Sequence, residues 1–277
     1  MHRENSSTVC QNCGDPRVDK FCPNCGEKKF DPHVLTVKHF AEETFEVFSH
    51  FDNKFFRTLK TLLFKPGKLT LEYCRGIRVP YMKPMAFFLI TNVLFFLLVT
   101  RANTFNIPLS NYVTYRPFTL FDTKGTVIKK LKKENLSEQQ YSMVFYEKMK
   151  SNSKALLIVF IPLMGLVCAL ILIGRHKTIG EHLVFATHFV TFFLYVVWLM
   201  SYVAQLSYTL FKYDSLDAPV SIIAATMMSV YAHKASRRFY DLNWIKAFGV
   251  SLLLLVIFIA LTFAYRMFLF YKIIYFG

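Results

Sequence analysis

Chemistry is concentrated at the start of the chain, where four of the six cysteines stand at Cys10, Cys13, Cys22 and Cys25. Each pair forms a C-x-x-C turn closed by a glycine, Gly14 or Gly26, and the two turns are separated by eight residues. Four soft thiolates from two such turns suit a tetrahedral zinc ion. Two structural disulfides would need an oxidising compartment and an export signal. Residues 1–30 are polar and carry no apolar stretch ahead of Cys10. The spacing therefore predicts a zinc ribbon over 1–30 with one zinc per chain; a redox dithiol or an iron–sulfur site ranks behind it. Four thiolates close the coordination shell, so the metal is expected to hold a small fold together rather than to catalyse. Cys74 and Cys168 have no such neighbours, and Cys168 reads as a small buried hydrophobe.

Two further sets of side chains could act. Arg75, Arg78 and Lys83, interleaved with Tyr73 and Tyr81, precede a long apolar run, an arrangement suited to lipid phosphates or a partner's carboxylates. The same residues could equally do no more than anchor a helix and set topology. Inside apolar sequence, Glu181 and His188 lie seven apart and share a helical face, with His182 beside them. A carboxylate facing an imidazole could relay a proton or hold a metal. The plain alternative is an interfacial carboxylate and bundle histidines with ordinary hydrogen bonds. No Walker loop, G-x-G-x-x-G, H-E-x-x-H or G-x-S-x-G occurs in the chain, and nothing positive indicates an enzyme.

The elements that must position these groups are helices in a membrane. Of the 277 residues, 54% are apolar and 18% charged, against about 45–50% and 25% in a soluble domain. Apolar runs at 85–100, 155–174, 183–211, 218–232 and 247–265 predict an all-α polytopic protein of about five transmembrane helices. The run at 218–232 is short and rich in Ala, Ser, Thr and Met, so it either packs tightly or re-enters. Upstream, residues 34–65 show helical periodicity through Val37, Phe40, Phe48, Phe51, Phe55, Leu59 and Leu62, with a break at Asp52 and Asn53. The second of these helices, from Asn53 to Lys65, sets phenylalanines and leucines against Lys54, Arg57, Lys60 and Lys65. Such a helix either lies in a headgroup layer or packs on the bundle. Amphipathic and juxtamembrane helices thus fill 31–83, and the bundle fills 84–277. Within the latter, 101–154 is too long and polar for a turn and reads as an extramembrane cap, with a capping box at Ser137–Gln140.

The formal charge is +15. Basic residues cluster towards the membrane, which favours anionic lipid over nucleic acid as their partner. Counted over the short loops between the later spans, one side carries six Lys and Arg and the other one. By the positive-inside rule the N-terminus is cytosolic and the C-terminus lies on the outer side.

A spaced pattern runs from the ribbon to the first apolar run: Phe21-Cys22-Pro23-x-Cys25-Gly26, His50-Phe51-Asp52, Phe56-x-Thr58-Leu59, Pro66-Gly67, Glu72-Tyr73, Gly76-x-Arg78-x-x-Tyr81-x-x-Pro84 and Phe87. Over residues 10–100 this resembles a family of bacterial integral membrane proteins that pair a zinc ribbon with this juxtamembrane segment and bear only an unknown-function label. The resemblance implies a bacterial inner membrane and the architecture above, and no activity. Glu27 stands where the resemblance leads one to expect Gln, at a position read as exposed. The functional expectation is a membrane protein whose cytosolic ribbon binds a partner protein, as adaptor, sensor or complex stabiliser. The alternative is a transporter, channel or lipid-handling protein with a path near His188.

Overall fold

The computed structural model describes residues 9–16, 20–27, 53–98, 107–153, 156–211 and 217–276. Among them all long elements are helices, and the ribbon shows isolated strand-like bridging, as between Val9 and Pro16. The helix expected over 34–52 and the first residues of the expected cap, 101–106, lie outside the described residues.

Helices α1 (Lys54–Phe64) and α2 (Lys68–Cys74) form an angled pair ahead of α3 (Pro84–Leu98). The apolar face of α1 buries Phe55, Thr58, Thr61 and Leu62 towards α2 and the bundle. Its other face leaves Phe56 and Phe64 67% and 74% exposed among Arg57, Lys60 and Lys65. Packing on the bundle, one of the two sequence alternatives, therefore accounts for half of the helix, and the basic aromatic face stays open.

Proline and glycine end α1 for separate reasons. Pro66 supplies no N–H to continue the ladder. Gly67 adopts φ +75°, and a Cβ there would lie 2.7 Å from the Ala235 carbonyl oxygen, so only glycine allows this approach.

Past α3 comes a compact helical layer: α4 (Leu109–Thr114), a 3-10 turn (Phe118–Phe121), α5 (Thr123–Glu134) and α6 (Glu138–Ser153). The Ser137 capping box is present: Gln140 N–H donates to Ser137 Oγ at 3.3 Å, and Ser137 N–H donates to Gln140 Oε1 at 3.0 Å. A second 3-10 turn (Leu156–Val159) leads to α7 (Phe160–Ile171), followed by α8 (Ile179–Phe211), α9 (Asp217–Tyr240) and α10 (Trp244–Phe276).

Helix α8 is the axle of the bundle. It is buried without interruption from His182 to Thr191, on every side of the helix, because α3, α7 and α9 surround it and α1 and α2 cover one end. In its most apolar window 78% of residues are buried, against 22% in α10, whose Leu252, Leu253, Val256 and Ile259 face outward. Water would penalise such a surface; a bilayer accepts it.

Among the described residues, two helices are long and apolar enough to cross a membrane, α8 over Ile179–Ser207 and α10. A third crossing is added if α6 and α7, bent by 50°, count as one broken span. The expectation of about five is thus not carried by length and composition. The 15-residue α3 reaches only about 22 Å, short of the ~30 Å hydrocarbon core. The 24-residue α9 is long enough but far less apolar than α8 or α10.

The layer over residues 107–153 packs against the end of α10. At 33 residues α10 extends about 50 Å, well beyond a bilayer core. Its last turns bury Met267, Leu269, Phe270, Ile273 and Ile274 against α4, α5 and α6. Phe270 stacks on Tyr112 at 4.8 Å, and Phe263 stacks on Phe118 at 5.4 Å. Tyr112 donates to the Arg266 carbonyl and Tyr271 to that of Phe121.

Candidate metal centre and its juxtamembrane dock

The cysteine turns fold as two copies of one local structure. Gly14 N–H donates to the Cys10 carbonyl and Gly26 N–H to that of Cys22, both at 2.9 Å. Going the other way, Cys10 N–H donates to the Asp15 carbonyl at 2.7 Å and Cys22 N–H to that of Glu27 at 2.8 Å. Closing each loop requires a left-handed residue after the second cysteine, and Gly14 and Gly26 supply it at φ +82° and +72°.

The four sulfurs converge, all within 4.8 Å of one another, and can hold a metal ion. Cys10 faces Cys25, and Cys13 faces Cys22, each pair 3.6 Å apart. A disulfide needs about 2.05 Å. Metal–sulfur bonds of about 2.3 Å in a tetrahedron place the sulfurs about 3.8 Å apart, so the donor set fits such a site with little adjustment. Crowding disfavours charge here. The Asp15 amide favours the Cys13 thiolate, yet desolvation and the neighbouring Cys25, Cys22 and Cys10 sulfurs outweigh it and push the thiol up to about 12. A bound dication reverses that balance by neutralising the thiolates, and binding then releases protons.

The acidic residue after each glycine has a different task. Asp15 accepts from the Asn24 side-chain amide and so ties the first turn to the second. Glu27 reaches out of the ribbon. Its carboxylate accepts from the backbone N–H groups of Arg78 at 3.3 Å and Val79 at 3.0 Å, and the residue is only 5% exposed. The expectation that Glu27 is exposed is therefore overturned: the ribbon lies on the turn ahead of α3, and Glu27 is the contact. A signal existed in the repeated C-x-x-C-G-[D/E] pattern, but its target lies 51 residues away.

That turn carries the basic set expected from sequence. Arg75 is exposed, whereas Arg78 bends back, its Nε donating to the Tyr73 carbonyl at 3.2 Å and its guanidinium lying 4.7 Å from the Tyr73 ring centroid. Tyr81 donates to Glu72 at 2.6 Å; burial and that bond raise its phenol above the ordinary value. Lys83 closes the turn at the start of α3 through its carbonyl, which accepts from Phe87. Nearby, burial pushes the Cys74 thiol up, which leaves it inert.

The intramembrane set is not brought together. Glu181 caps α8, accepting from Thr178 N–H and from Lys177 Nζ, both at 2.9 Å. Thr178-x-x-Glu181 forms a second capping box, a spacing legible in the sequence itself. His182 Nδ1 pairs with the Tyr240 hydroxyl of α9 at 2.9 Å, and His188 Nδ1 pairs with Thr70 of α2 at 2.8 Å. The two histidines thus join α8 to different neighbours, α9 and α2, while Glu181 caps its own helix. His188 Nε2 is buried without a hydrogen-bond partner among the described residues.

Residues 52–96, which comprise α1, α2 and most of α3, match the family described as "Protein of unknown function (DUF3667)". No curated protein and no solved structure matches the chain.

Proposed function

We propose that the chain is an inner-membrane protein of bacteria whose cytosolic ribbon binds one zinc ion and serves as an interaction module for a partner protein, as adaptor, sensor or complex stabiliser. The observation that carries this reading is the convergence of Cys10, Cys13, Cys22 and Cys25 in a four-sulfur set that leaves no open coordination position. Zinc is favoured over softer or redox metals because two C-x-x-C-G turns in a reducing compartment give it a closed tetrahedral shell. Zinc supplies cohesion to a fold too small to bury a core, while Asp15 ties its two turns together and Glu27 joins it to the rest of the chain.

Five crossings, with the N-terminus inside and the C-terminus outside, complete the proposal. Support comes from which ends meet. Arg238 donates to Pro66 O at 2.9 Å and Arg175 to Asp241 O at 3.4 Å, grouping the ribbon side of α2, α7, α8, α9 and α10. The cap gathers at the opposite ends. At the inner leaflet, Arg75, Arg78, Lys83 and Tyr81 meet lipid headgroups or partner carboxylates, and the open face of α1 rests on the same surface.

A second reading, a transport or lipid-handling path near His188, is favoured only by the unpartnered His188 Nε2. The separate partners of Glu181, His182 and His188 speak for a helix cap and for helix joining instead. Metal analysis of purified protein decides the primary claim: one zinc per chain is expected, and a Cys22→Ser variant should lose it together with any co-purifying partner. Full metal content in that variant refutes the site. Flux through proteoliposomes that falls in His188→Ala would favour the path.

A further inference from the structure

The geometry points to a metal-dependent latch between the ribbon and the membrane-entry turn, with Glu27 as its bolt. It rests on the reading that the four cysteines hold a metal. Two bonds of one residue make the coupling. The Glu27 backbone carbonyl accepts from Cys22 N–H and closes the second metal turn, while its carboxylate accepts from the Arg78 and Val79 amides. The metal fixes the positions of Cys22 and Cys25, hence the backbone of Glu27, hence the carboxylate that the two amides need. Without metal, the second turn rests on its own backbone hydrogen bonds and the two turns lose the ion that ties their sulfurs together, so the carboxylate can return to water.

What the latch controls is the segment from Gly76 to Lys83. These residues have no helical ladder of their own, and Gly76 sits at φ +93°. The segment carries Arg78 folded onto Tyr73, and Thr58 holds its far end by accepting from Met82 N–H at 2.9 Å. Releasing Glu27 loosens one end of the turn and lets the Arg78 guanidinium swing towards the headgroup layer. Metal occupancy would then set how much basic surface the protein offers at the membrane. A carboxamide can accept the same two bonds, so Glu27→Gln preserves the latch and Glu27→Ala removes it.

Hydrogen exchange of the full-length protein in lipid nanodiscs reads this directly. In zinc-loaded wild type and Glu27→Gln, the Arg78 and Val79 amides are protected. Chelator-stripped wild type and zinc-loaded Glu27→Ala exchange there about tenfold to a hundredfold faster, the loss expected for bonds to a charged acceptor. Amides within α8 serve as the folding reference and keep their protection throughout. Protection that survives in zinc-loaded Glu27→Ala overturns the dock, and protection that survives stripping overturns its dependence on metal. Metal content measured on the same samples separates these results from failure of the zinc reading, since a wild type that binds no zinc loses the switch while the Glu27→Ala comparison still tests the contact.

Discussion

At the scale of single residues, small polar groups tie the family-matched segment together and to the bundle. Thr58, Thr70 and Thr91 lie on three successive helices, all fully or nearly buried, and each hydroxyl bridges to another element. Thr58 accepts from Met82, Thr70 pairs with His188, and Thr91 pairs with Tyr195 at 3.0 Å. Short hydroxyls suit this role because they satisfy a buried donor or acceptor at little cost in side-chain entropy. Thr70→Val keeps the shape but leaves His188 Nδ1 unpaired as well as Nε2. It should destabilise the protein by about 1 kcal/mol in detergent unfolding, whereas Thr70→Ser should cost about half of that or less. Equal effects of the two would mean that the methyl group, not the hydroxyl, matters.

At the scale of elements, α8 begins with an N-terminal cap strong enough to explain Glu181 without any transport role. Thr178 Oγ1 accepts from Glu181 N–H at 3.3 Å while the carboxylate returns to Thr178 N–H, so the exposed amides at the helix start are satisfied reciprocally. Lys177 adds an ion pair and lies over the Phe239 ring at 4.8 Å, joining the same corner to α9. Glu181→Gln keeps an acceptor for Thr178 and loses only the ion pair; its cost should be below about 0.5 kcal/mol. Glu181→Ala loses the cap and should cost about 1 kcal/mol in the same unfolding assay. A carboxylate that moves protons would behave differently, with Gln as damaging as Ala in any functional readout.

At the scale of the whole molecule, polar and aromatic work is divided between the two ends. One end gathers the ribbon, the angled pair α1 and α2, and the close approach of Gly67 to Ala235. The other is an aromatic cap in which Tyr112 contacts Phe118, Phe145 and Phe270 around the end of α10. Because α10 overshoots the hydrocarbon core, its final turns brace the cap, and this length is the reason the C-terminus belongs with residues 107–153. A cytosol-active reporter fused near residue 5 and a periplasm-active reporter fused at residue 276 should both work. Activity of a cytosolic reporter at residue 276 would reverse the orientation.

The residue pattern alone determined what is local or periodic. The four cysteines, the turn at Pro66-Gly67, the Ser137 box and the apolar runs that became α8 and α10 were legible because each depends on neighbours within one or two helical turns. Residue pattern also placed Cys168 correctly as a buried apolar side chain, 1% exposed. Tertiary structure decided the rest. Apolarity says that a helix avoids water, but it does not say whether lipid or protein replaces it, so α8 and α10 read alike while α8 is the protein-covered axle and α10 faces outward. Nor does sequence distance carry information on pairing: Thr70 meets His188 and Glu27 meets Val79 only because packing brings distant segments together. The burial of Glu27 is the plainest case, since a carboxylate after a metal turn belongs in water until two backbone amides of another segment are placed against it.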